Sequence, residues 1–198
     1  MRGRRAADRR LERALEALRL ALDSTRAAWM TIGGIAVIAR GVHRLTTDID
    51  AAVRGDAVEI GALLQALATQ EIVGRIPDVE AFGRTNLVLL LEHVPTRVPL
   101  DVSLAWTGFE RDAISARSDA RFGRVVVPMA TAEDLVILKA VAGRPKDIED
   151  VVGLLVLHRG IDLVRVRTCV AELAFLAEVP EIVEELERAI RRAGLQGF

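Results

Sequence analysis

Apolar positions recur along the chain in two periods, and the switches between those periods mark out its elements. Leu11, Leu15, Leu18 and Leu22 fall three or four residues apart among arginines and acids, which predicts an amphipathic helix over residues 5–27. A short strand around 28–31 leads into Gly33-Gly34 and an apolar helix to Arg40, where Gly41 can stop it. A strand begins at Asp48, and a helix follows over about 57–69. Leu87 to Val94 is a near-continuous apolar run bounded by Arg84-Thr85-Asn86 and Pro95, the pattern of a buried central strand. Pro95-Thr96-Arg97 suits a tight hairpin into the strand Val98–Leu104. Residues 107–124 are polar and predict no element, and Val125-Val126-Val127 reads as a short strand.

The last third is helical. Thr131 caps a helix, with Asp134 three residues on, and Arg144-Pro145 breaks it so that Pro145 enters the first turn of the next. Leu163, Val166, Val170, Leu173 and Ala177 line a further helix, and Ile182, Leu186, Ile190 and Ala193 line the last. Glu184–Arg188 and Glu187–Arg191 are favourable pairs one turn apart on it. The expected class is α/β (α+β): a small mixed sheet with an N-terminal helix over 1–128, and a helical part over 129–198 packed on it as a single compact unit.

Candidate chemistry lies on the strands. Thirteen residues separate Gly34 from Asp48, which opens an Asp-x-Asp, and side chains at i and i+2 of a strand share a face, so Asp48 and Asp50 are expected to project together. Ile49, Ala51 and Val53 then take the buried face. On the next strand Val98, Leu100, Val102 and Leu104 face one way, and Asp101 and Ser103 the other. Mg²⁺ takes oxygen ligands, through one or two carboxylates plus substrate phosphates, and two such ions can clamp an in-line phosphoryl displacement. Glycines at a helix start let phosphate oxygens approach the backbone N–H groups. Asp48, Asp50 and Asp101 beside Gly33 and Gly34 therefore suit two Mg²⁺ ions and a nucleoside triphosphate.

At these residues the chain resembles the DNA polymerase β-type nucleotidyltransferase superfamily, whose signature is a hydrophobic residue, Gly-Gly or Gly-Ser, a spacer, then Asp-hydrophobic-Asp/Glu-hydrophobic. Ile32, Gly33, Gly34, Asp48, Ile49, Asp50 and Ala51 occupy those positions. Arg44-x-Thr46-x-Asp48 further resembles the Arg-x-Ser-x-Asp-x-Asp of AbiEii-like toxins of type IV toxin–antitoxin systems. Lys139 followed by Arg144-Pro145-Lys146-Asp147-x-x-Asp150 is similar to that family's later block. The resemblance implies transfer of an NMP from an NTP to an acceptor hydroxyl. Asp48, Asp50, Asp101 and Lys139 would be catalytic, the three aspartates holding metal. Asp101 would also help to deprotonate the acceptor, and Lys139 would neutralise charge on the leaving pyrophosphate. Gly33, Gly34, Arg44, Thr46, Lys139, Lys146 and Asp147 would bind nucleotide. It also implies an acceptor that is RNA (a tRNA 3′ end), protein or a small molecule, and a cognate antitoxin as partner. Two other readings remain open: a non-catalytic nucleotide-binding module on the same fold, and a glycosyltransferase using Asp-x-Asp to hold a metal and a sugar nucleotide.

Composition trims the picture. Hydrophobic residues make up 51% of the 198, enough for a sizeable core, and no apolar run approaches the roughly 20 residues that span a bilayer. One cysteine excludes a disulfide framework, and no secretory signal pattern is present, which predicts a cytoplasmic protein. His43, His93 and His158 lack ligand spacing, and Trp29 and Trp106 are expected to pack near strand ends. Net charge is −1, yet Arg2, Arg4, Arg5, Arg9, Arg10, Arg13 and Arg19 crowd the N-terminus as a candidate phosphate-contacting arm. All but two of the 27 basic residues are arginine, and both lysines, Lys139 and Lys146, fall in the later block. A lysine ammonium is a point charge for phosphate that can also give up a proton.

Overall fold

The computed structural model describes residues 2–195, with side chains from residue 8 onward. The chain divides into two compact units, Met1–Ala36 with Arg44–Ala130, and Val37–His43 with Thr131–Phe198.

The first unit holds a seven-stranded mixed sheet. In chain order its elements are α1 (Arg2–Ser24), β1 (Trp29–Ile32), the start of α2 (Gly33–Ala39), β2 (Ile49–Arg54), α3 (Ile60–Ala68), β3 (Ile72–Gly74), α4 (Val79–Asn86), β4 (Val88–His93), β5 (Val98–Ala105), α5 (Gly108–Ala116), β6 (Ser118–Phe122) and β7 (Val125–Met129). The strand order is β3-β4-β5-β2-β1-β7-β6. The β1–β2, β3–β4, β4–β5 and β6–β7 pairs are antiparallel, whereas β2–β5 and β1–β7 are parallel. The expected mixed sheet is therefore present.

The apolar stripe of α1 buries Leu11, Leu15, Leu18 and Leu22, and α1 packs against α3, β5 and β7. Each such leucine contributes about 1.5–3 kcal/mol of transfer free energy. Arg10 fastens the same helix to the hairpin after β4, its Nε donating to the Thr96 carbonyl at 2.8 Å. Trp29 is buried as expected, its Nε1 donating to Asp23 Oδ1 at 2.9 Å.

Several expectations need correction. The apolar run of β4 is not buried on both faces: Leu89, Leu91 and His93 are enclosed while Val88, Leu90 and Glu92 are half-exposed, because only one face of the sheet there is covered. Trp106 is 65% exposed, since β5 ends one residue before it. The polar stretch 107–124 holds α5 and β6, and the unassigned stretch 70–86 holds β3 and α4.

The second unit contains α6 (Ala132–Ala142), α7 (Pro145–Leu157), α8 (Leu163–Leu176) and α9 (Glu181–Arg192), with the end of α2. Thr131 caps α6 by accepting from the Asp134 N–H, and Pro145 opens α7. Helix α8 buries Val166, Val170 and Ala174 rather than Ala177, and α9 buries Ile182, Leu186, Ala189 and Ile190. Glu187 pairs with Arg167 of α8 at 2.6 Å, and Arg191 also acts on it electrostatically. The turn after α2 is anchored on α7, where His158 Nε2 lies 2.8 Å from the Arg40 carbonyl.

Candidate functional site

Strand register brings the two key carboxylates side by side. Asp50 of β2 pairs with Ile32 of β1 on one side and with Asp101 of β5 on the other. Residues directly opposite on adjacent strands point to the same face, so Asp50 and Asp101 form one rung of like charge. Ile49, Ala51, Val53, Leu100 and Val102 are fully enclosed on the opposite face, which fixes the register against slipping. Asp48 lies in a bend one residue before β2, half-buried.

The glycines close against these same residues. Gly33 follows Ile32 with φ +63°, and a Cβ there would lie 1.8 Å from Asp50 Oδ2. A Cβ on Gly34 would meet Thr46 Oγ1 at 2.4 Å, and that hydroxyl donates to Asp48 Oδ1 at 2.6 Å. Each glycine thus meets one carboxylate: Gly33 directly, and Gly34 through Thr46. This is the physical content of the glycine–aspartate spacing. Arg44 turns its Nε to the Leu45 carbonyl at 3.2 Å.

Asp101 has a cationic neighbour that sequence reading missed. Arg75 follows β3, and its Nη1 lies 2.8 Å from Asp101 Oδ1. The contact is an ion pair without an aligned hydrogen bond: Oδ1 has no hydrogen-bond donor, while Nη1 donates to the Leu91 carbonyl at 3.3 Å. The two side chains are 31% and 38% exposed, so the pair is worth about 0–1 kcal/mol. No local pattern marks Arg75, because it reaches Asp101 only through the pairing of three strands.

Asp50 and Asp101 are carboxylates of the type a hard divalent cation takes. Asp50 and Asp101 place like charge in one rung, Asp48 adds a third carboxylate, and Asp101 Oδ1 is buried without a donor. Among the described residues, no group of three or more His, Cys, Asp or Glu is gathered into a metal-binding cluster. Asp48, Asp50 and Asp101 are each part-exposed, and carboxylates so few suit an ion that keeps substrate oxygens in its shell.

Lys139, Lys146 and Asp147 lie in the second unit. Lys139 is 7% exposed, its Nζ 2.7 Å from Asp147 Oδ1 and 3.4 Å from Asp150 Oδ2. Arg144 Nε donates to Asp147 Oδ2 at 2.5 Å, while Lys146 is exposed. Burial alone would raise the pKa of Asp147, but the hydrogen bonds from Arg144 and Lys139 prevail and hold it below the usual carboxylate value. His43 is exposed, and His93 is buried with Nδ1 2.8 Å from Thr96 Oγ1; burial lowers its pKa.

A family model described as "Nucleotidyltransferase of unknown function (DUF6036)" matches residues 9–187. No curated protein matches the chain significantly. Among solved structures, the fold is similar to that of the antibiotic-resistance factor ANT(2'')-Ia, with TM-score 0.56 and 16% identity, covering 84% of this chain and 92% of that one. It is also similar to an antigenic nucleotidyltransferase-like protein from Paracoccidioides brasiliensis, with TM-score 0.50 and 16% identity, covering 89% and 91%. At that identity the likeness is one of fold.

Proposed function

The chain belongs to that nucleotidyltransferase family, and from this premise we propose that it is a Mg²⁺-dependent enzyme moving an NMP from an NTP to an acceptor hydroxyl. The observation that carries the reading is the contact of Gly33 with Asp50, in register with Asp101. It sets a turn suited to phosphate beside two adjacent carboxylates.

In the proposed reaction the acceptor oxygen bonds to the α-phosphorus as the bond from that phosphorus to the bridging oxygen breaks. Pyrophosphate leaves with the bond's electron pair. Backbone N–H groups at Gly33 and Gly34, at the helix start, bind the phosphates, and the missing side chains let Asp50 and Thr46 pack directly against this turn. Asp48 and Asp50 would hold two Mg²⁺ ions and Asp101 would complete the set for one, and the metal would supply charge neutralisation at the reacting phosphate. Asp101 also takes the acceptor's proton. Thr46 orients Asp48 through its hydroxyl.

The RNA 3′ hydroxyl is the first acceptor to test, on the strength of the sequence resemblance to AbiEii-like enzymes; the same resemblance suggests a toxin with a cognate antitoxin. The experiment is incubation with α-labelled NTPs, Mg²⁺ and total RNA, then with total protein. Labelled acceptor is expected with wild type and none with Asp48→Ala or Asp50→Ala, with circular dichroism melting to check that each variant is folded. NTP binding without transfer to any acceptor would instead identify a non-catalytic module.

A further inference from the structure

Arg75 stands on the same rung as the carboxylates. Its N–H donates to the Leu90 carbonyl at 3.0 Å, Leu90 pairs with Asp101, and Asp101 pairs with Asp50. The row from Arg75 through Leu90, Asp101 and Asp50 to Ile32 crosses the sheet and ends beside Gly33. The arginine backbone is fixed by the ladder, and its side chain reaches past Leu90 to Asp101 Oδ1 at 2.8 Å.

A purely structural arginine on a carboxylate commonly closes two parallel hydrogen bonds. This one closes none on Oδ1, leaving that buried oxygen with charge compensation and no aligned donor. Both side chains are also partly open to solvent, so the pair is weak and exchangeable. We propose that Arg75 is a positioning residue that compensates Asp101 in the absence of substrate and competes with the divalent cation for that carboxylate. The inference rests on the nucleotidyltransferase reading above. When the cation arrives, only the guanidinium moves, because the Arg75 N–H remains on Leu90. A cation therefore binds against a local competitor, and the site fills readily only when substrate oxygens add to the ligand set.

The test is Mn²⁺ binding to the full chain by electron paramagnetic resonance, without nucleotide and then with a non-hydrolysable NTP. Arg75→Gln should bind Mn²⁺ about two- to fivefold more tightly than wild type without nucleotide, the range that loss of a weak competing ion pair allows. Arg75→Lys, which keeps the charge, should stay near wild type. In an Asp101→Asn background the Arg75→Gln advantage should vanish. Circular dichroism melting checks that each variant is folded, and Arg75→Met, which also removes the charge and should show the same gain, takes the place of the glutamine variant if that one is not. Equal or weaker Mn²⁺ binding by folded Arg75→Gln overturns the competition and leaves the proposed function standing. Failure of wild type and every variant to bind Mn²⁺ even with nucleotide overturns the proposed function, and this inference with it.

Discussion

Gly33 is the residue at which backbone conformation and chemistry meet. Its φ of +63° disfavours any side chain, and the space a Cβ would need is already held by Asp50 Oδ2 at 1.8 Å. Gly33→Ala meets both penalties, a left-handed conformation costing about 1–2 kcal/mol and a displaced carboxylate. The expected outcome is a measurable loss of stability in urea unfolding with near-complete loss of transfer. Gly34→Ala separates the terms, because its φ is ordinary and its added Cβ presses on Thr46 rather than on Asp50. Retained transfer in Gly33→Ala would remove this glycine from the functional argument. Both glycines and all three aspartates were legible in the sequence as residues. Which glycine touches which side chain was not, since that depends on how β1 and β2 pair.

At the level of elements, local signals located α1, α6, α7 and α9, because each has an apolar stripe, a cap or a helix-opening proline. Helix α5 also carried a signal: Thr107 and Glu110 form a reciprocal capping box that the polarity of the segment masked. Strand β3 has three residues and carries no period of its own, so its pairing with β4 alone defines it. The α6–α7 junction yields a further prediction. Asp147 is fully enclosed and held by Lys139 and Arg144. Its native pKa lies below the ordinary 3.8, so it contributes stability above that value that is lost as pH falls through the lower native one. Lys139→Ala removes one partner of a buried charge, a change costing about 3–5 kcal/mol where no other partner remains and less here because Arg144 persists. The expected result in urea unfolding is lower stability at neutral pH and a smaller further loss on acidification than in wild type, because without Lys139 the native pKa of Asp147 lies closer to its unfolded value. If Lys139→Ala keeps full stability but loses triphosphate affinity, the lysine serves the substrate, as the sequence resemblance implies.

For the whole molecule, the net charge of −1 hides a basic N-terminal helix whose arginines do different work. In the sequence Arg9, Arg10 and Arg13 stand alike, because an interaction with residues more than 80 positions away leaves no local trace. The structure separates them. Arg10 donates to the Thr96 and Arg97 carbonyls and so ties α1 to the β4–β5 hairpin. Arg9 and Arg13 are exposed and, with Asp8, Glu12, Arg124 and Val125, line a cavity of about 610 Å³. The side chains of Arg2, Arg4 and Arg5 lie outside the described residues. If the acceptor is RNA, Arg9 and Arg13 are the described side chains of this helix available to its phosphates. Neutralising both as Gln should flatten the salt dependence of RNA binding, with about 0.7–0.9 removed from the log–log slope for each phosphate no longer neutralised by the protein. Stability and NTP affinity should be unchanged. Arg10→Gln should show the reverse, a loss of stability from the broken carbonyl hydrogen bonds with little change in slope. Filter binding across a salt series, paired with thermal melts, checks both. An unchanged slope in the Arg9/Arg13 double variant assigns this face of the helix to solvent and leaves RNA binding to other surfaces.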